Sequence, residues 1–196
     1  MSRMKLAYVL FDGFTLLDFS GFQEAITWMR VLGADADMIW HYCADQSRIT
    51  DDRGMSISIS HVKPDLSGYD LVFVPGGMPT RRLQYDEGFL SWLRTAREAE
   101  MKVSVCTGAL LLGAAGLLQG KRATTNASAY ELLQPYCAEV VKERFVRDGD
   151  VFTGGGVSAS IDLGLYVVES LTDRDFTRRV QEQMHYPYYS GASAIG

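Results

Sequence analysis

The strongest chemical signal in the chain is Val103-Ser104-Val105-Cys106-Thr107-Gly108-Ala109. A short apolar run ends on a cysteine, Gly108 follows two residues later, and an apolar helical pattern begins at Ala109. That is the strand–turn–helix arrangement of a nucleophile elbow, with sulfur in place of a serine oxygen. The turn lifts the side chain above the sheet. The positive end of the helix dipole lies beside the sulfur and is expected to favour the thiolate. The other two cysteines, Cys43 in IWHYCAD and Cys137 in LLQPYCAEV, read as ordinary buried thiols.

Two other places supply partners. Gly76-Gly77 follows the apolar run DLVFVP, and paired glycines let backbone N–H groups turn toward a ligand. Together with the Thr107 N–H they are expected to form an oxyanion hole. Asp18 closes the first strand–helix loop, FDGFTLLDFSG. It has two readings: a helix N-cap, or an acid/base partner of Cys106 with its pKa raised by burial beside the thiol. The three histidines, His41, His61 and His185, lie outside the glycine-rich strand-end loops, so a cysteine–histidine dyad is not expected. Acidic residues do not cluster with histidine at ligand spacing, and no metal site is expected. Gly154-Gly155-Gly156 lacks the dinucleotide fingerprint, and there is no P-loop lysine.

These residues need a scaffold. Lys5–Phe11, Asp37–Ala44, Gly54–Ser60, Asp70–Pro75 and Lys102–Val105 read as strands, the first and the last two apolar enough to be buried on both faces. Helical patterns run over Phe19–Leu32, Asp86–Glu100, Ala109–Leu117, Ser128–Gln134, Val157–Thr172 and Asp173–His185. Phe145–Thr153 predicts a hairpin turning at Asp148-Gly149. The alternation predicts an α/β fold, a flavodoxin-like three-layer sandwich whose mostly parallel sheet carries helices on both faces. Ligands of such sheets sit beyond the carboxyl ends of the strands. Cys106, Gly76-Gly77 and Asp18 all fall in loops at those ends.

Composition narrows the function. The chain has 196 residues and a net charge of −5, which fits one domain over 1–196 and argues against a nucleic-acid partner. Three widely spaced cysteines suggest no disulfide framework and a reducing, cytoplasmic setting. The ten-residue run Ala109–Leu118 is too short to span a bilayer, so no membrane partner is expected.

Taken together, LLDFSG, LVFVPGG, VSVCTGALLLGAAGLLQGKRATT and VRDGDVFTGGGVSASIDLGL resemble the DJ-1/PfpI superfamily, also described as class I glutamine-amidotransferase-like. Cys-Thr-Gly with Leu-Asp-x-x-Gly resembles its isocyanide (isonitrile) hydratase branch. The resemblance implies a homodimer that needs no cofactor and acts on a small molecule. It implies Cys106 as nucleophile, Asp18 as acid/base carboxylate, and Thr107, Gly77 and Val157 around the nucleophile. Gly76 and Asn126 complete the expected substrate-binding set. The branch typically reads Thr-Thr-His-Trp where this chain reads Thr124-Thr125-Asn126-Ala127, so an imidazole and an indole are missing from the pocket wall. The same core occurs in AraC-type regulators ahead of a helix-turn-helix module, for which a chain ending at Gly196 is expected to have no room. The expected reaction is hydration of an isocyanide to an N-substituted formamide through a Cys106 thioimidate. A glyoxalase or deglycase, or a non-catalytic redox or ligand sensor, are the alternatives.

Overall fold

A computed structural model describes residues 3–191. β1 (Lys5–Val9) is buried from Leu6 onward and leads to α1 (Leu16–Val31) and β2 (Ile39–Ala44). β3 (Arg48–Thr50) and β4 (Ser56–Ser58) pair as a small antiparallel ribbon, and β5 (His61–Val62) follows. β6 (Leu71–Val74), buried throughout, precedes the short helices α2 (Thr80–Leu83) and α3 (Glu87–Leu93). β7 (Met101–Val105) runs into α4 (Gly108–Ala114). β8 (Arg122–Ala123) and β9 (Glu139–Val140) flank α5 (Tyr130–Leu133) and pair with each other. The hairpin β10 (Phe145–Asp148) and β11 (Val151–Gly154) is followed by α6 (Ala159–Leu171) and α7 (Arg174–Met184).

The central sheet has the order β10-β11-β7-β6-β1-β2-β5, with every pairing parallel except β10–β11. Helices flank it on both sides, as the three-layer reading requires. From β1 the chain first builds outward through β2, then crosses back to β6 on the other side. The order therefore reverses between β1 and β6, which opens a crevice at their carboxyl ends. The segments that follow β1, β6 and β7 meet there, and they carry Asp18 in the first turn of α1, Gly76 and Cys106. α1 is held firmly against α6: the Ser160 hydroxyl donates to the Leu17 carbonyl at 3.0 Å.

Several element boundaries differ from expectation. The Gly54–Ser60 segment supplies only β4, whose Ser56 and Ser58 are exposed and Ile57 half-buried, so it forms a ribbon apart from the main sheet. The helix over Asp86–Glu100 is α-helical only to Leu93. It tightens to 3-10 over Arg94–Glu98 and turns extended at Ala99 to enter β7. α4 is shorter than the apolar pattern, because Gly116 takes φ +79° and Leu117 N–H closes back on the Leu112 carbonyl. The last helix begins at Arg174, and Asp173 is its cap, accepting from the Phe176 N–H at 2.8 Å.

Candidate functional site

Cys106 directly follows β7, and Thr107 then caps α4. The Cys106 φ is +55°, left-handed for a side-chain-bearing residue, and such strain costs about 1–3 kcal/mol. The surroundings hold it there: its N–H donates to the Gly154 carbonyl at 2.9 Å, and its carbonyl accepts the Thr125 hydroxyl at 2.7 Å. The junction needs glycine at 108, where an added Cβ would lie 2.3 Å from the Val74 carbonyl oxygen.

Asp18 faces this elbow. It is the third residue of α1 and wholly buried. The N-cap reading fails, because the N-cap position is Thr15, and the Asp18 carboxylate turns inward instead to accept the Gly76 N–H at 2.9 Å. A Cβ built on Gly76 would lie 2.8 Å from both Asp18 Oδ2 and Cys106 Cβ, so less than two such lengths separate the carboxylate from the cysteine. Only glycine fits between them. The second oxygen, Oδ1, is buried without a hydrogen-bond partner among the described residues.

The electrostatics follow from this burial. Asp18 is pushed up to about 7, chiefly by loss of water; the Gly76 N–H and the Cys106 thiol pull it back, and the charge of Asp52 adds to the rise. Cys106 is pushed up to about 11 by burial and then by the Asp18 charge. The Thr107 N–H and hydroxyl and the Asn126 amide oppose that rise without overcoming it. The thiolate-favouring helix end expected from the sequence is therefore outweighed by desolvation and a neighbouring carboxylate. Burial thus holds both groups toward their protonated forms, and the resting cysteine is a thiol.

The expected oxyanion hole also needs correction. The Gly76 N–H is taken by Asp18, and the Gly77 N–H donates to Thr107 Oγ1 at 3.1 Å. In this structure both N–H groups are engaged by protein side chains, Asp18 and Thr107. Asn126 does reach the site. Its Oδ1 accepts the Ser128 N–H at 3.0 Å and the Ser128 hydroxyl at 2.8 Å, and its amide acts on the Cys106 sulfur. Val157 stands apart from this hydrogen-bonded group, half-buried in the turn before α6, with its carbonyl accepting from the Ser160 N–H at 3.2 Å.

Of the other thiols, Cys43 is fully buried beside Tyr69 and His41 and pushed up to about 11 by burial. Cys137 is half-buried and also shifted upward by burial. Thr125 and Asp52 act through contacts to segments distant in the chain. The Asp52 carboxylate accepts the Thr15 hydroxyl at 3.0 Å, and its N–H donates to the Phe14 carbonyl, so the β3–β4 turn is bolted to the loop before α1. Neither contact has a local signature, since each joins segments far apart in the chain.

A thiol on a strand–helix elbow over a doubly wound sheet, with a buried carboxyl beside it, defines a class of cysteine-dependent α/β enzymes. A model of the DJ-1/PfpI family matches residues 4–170, and the chain belongs to that family. It is 36% identical to the isonitrile hydratase of Pseudomonas putida over 194 residues, covering 96% of this chain and 83% of that one. It is 31% identical to the HTH-type transcriptional regulator CdhR of Pseudomonas aeruginosa, covering 90% of this chain and about half, 53%, of the regulator. The crystal structure of a ThiJ/PfpI family protein from Pseudomonas syringae superposes with a TM-score of 0.85 at 28% identity, covering 99% of this chain and 80% of that chain. Among the described residues no helix is long and apolar enough to cross a membrane, and no cluster of three or more His, Cys, Asp or Glu is placed to hold a metal ion.

Proposed function

We propose that the protein hydrates an isocyanide to an N-substituted formamide, using Cys106 as nucleophile and Asp18 as its proton carrier. The observation that carries this reading is the Asp18 carboxylate, fixed through one oxygen by Gly76 N–H and unpaired at the other, beside the Cys106 thiol. The likeness to a hydratase over nearly the whole chain supports it.

The reaction starts from thiol and carboxylate. Asp18 takes the thiol proton as sulfur attacks the terminal carbon of R–NC, and then delivers that proton to the same carbon. The product is the thioimidate R–N=CH–S on Cys106. A carboxyl poised at about 7 serves both directions of transfer near neutral pH. Water then adds to the thioimidate carbon, with Asp18 accepting its proton and passing it to nitrogen. The carbon–sulfur bond breaks, the hydroxyl proton returns through Asp18 to sulfur, and the formamide R–NH–CHO leaves. Thr107 N–H and the Asn126 amide bear on the sulfur while it carries charge. Gly76 and Gly77 seat the two catalytic partners, and Val157 borders the substrate space. No step draws on a cofactor, and a homodimer remains part of the proposal.

Incubation with p-nitrophenyl isocyanide, followed by formamide absorbance, tests the reading. Turnover is expected in the native protein and absent in Cys106→Ala; equal rates in both would overturn it. The sensor alternative requires an accessible, acidic thiol, whereas Cys106 is 8% exposed and shifted upward.

A further inference from the structure

Arg81 is linked to the nucleophile through two side chains, Ser128 and Asn126. It is half-buried in α2, and its Nη2 donates to the Ser128 hydroxyl at 3.1 Å. Ser128 donates in turn to Asn126 Oδ1 at 2.8 Å, which saturates that oxygen and turns the amide toward Cys106. The rest of the guanidinium is poorly used. Nη1 meets only the Met78 sulfur at 3.6 Å, a weak acceptor on an otherwise exposed side chain. Among the described residues no carboxylate pairs with it. A guanidinium has five donors in a flat fork suited to two oxygens. Here it is a cation held in place by Ser128, without a protein anion.

We infer that Arg81 receives a carboxylate at the far end of the substrate, so that the molecule hydrated is an isocyanide on a short spacer ending in an acid. This rests on the hydratase reading for the reactive end. The two ends are kept apart by separate partners: Asp18 meets the thiol through Gly76, whereas Arg81 approaches it through Ser128 and Asn126. A neutral isocyanide of the same length uses the elbow but leaves the fork unfilled.

The test compares isocyanohexanoate with its methyl ester in native protein, Arg81→Gln and Arg81→Lys. A charged, bidentate contact predicts that Arg81→Gln lowers kcat/KM for the acid at least about tenfold more than for the ester. Arg81→Lys, which keeps the charge and loses the fork, is expected to fall between. A second readout needs no turnover: protection of Cys106 from iodoacetamide by hexanoate against hexanamide, followed by mass mapping. Hexanoate is expected to protect the native protein better than hexanamide, and Arg81→Gln to erase that difference. If Arg81→Gln lowers acid and ester equally, or hexanamide protects as well as hexanoate, Arg81 is only a clamp between two loops and the inference falls. Turnover of both isocyanides without discrimination overturns the inference and spares the hydratase reading. Protection that depends on Arg81, with neither isocyanide turned over, does the reverse.

Discussion

Asp18→Asn separates the proton carrier from the scaffold. The amide oxygen can still accept the Gly76 N–H, so the shape of the site is kept, but the titratable group is gone. Turnover is expected to fall by about 10²-fold or more, the scale of a positioned general acid/base. Stability should move the other way. In the fold the carboxyl sits at about 7, against an ordinary value of 3.8, so ionising it there costs about 4 kcal/mol more than in the open chain. The folded state holds this proton more tightly than the unfolded one. The contribution to native stability is therefore full below about pH 4 and is lost as pH rises through about 7. Asparagine carries no such penalty. At pH 8 the variant should melt about 8–16 °C above the native protein, and at pH 4 the difference should nearly vanish. Paired melts from pH 4 to 8, with rates measured on the same samples, check both halves. A gap in melting temperature that does not widen with pH would refute the burial argument, and near-normal turnover would leave the mechanism without its acid.

The elbow and its supports make further predictions. Cys106→Gly should abolish turnover as Cys106→Ala does, yet be more stable than the alanine variant by about 1 kcal/mol, because glycine accepts φ +55° freely; denaturant melts compare them. Gly76→Ala would place a Cβ 2.6 Å from the Thr107 nitrogen, so it should cost about 1–3 kcal/mol in a denaturant melt and disable the site even if the chain folds. Thr125→Val leaves the Cys106 carbonyl without its 2.7 Å partner and should cost about 1–3 kcal/mol, whereas Thr125→Ser should retain most of the stability and the rate.

Much of this was legible before any fold was known. The apolar runs at β1, β6 and β7 and the helical periods between them set a doubly wound sheet, because only strands buried on both faces lack polar alternation. That topology places the residues after those strands in one crevice, so Asp18, Gly76 and Cys106 could be grouped from sequence order alone. Their relations within it could not. Asp18 preceding a helical run reads as a cap, and only the packing of α1 against α6 and the loop after β6 turns its carboxylate inward. Gly76 and Gly77 offer donors to any ligand on paper; the assembled site spends both on Asp18 and Thr107. The charge state of Cys106 depends on how much water the surrounding layers remove and on an acid 88 residues earlier in the chain. Local sequence encodes backbone preference and burial pattern over a few residues. Desolvation, and hydrogen bonds between distant segments, exist only once the chain has folded.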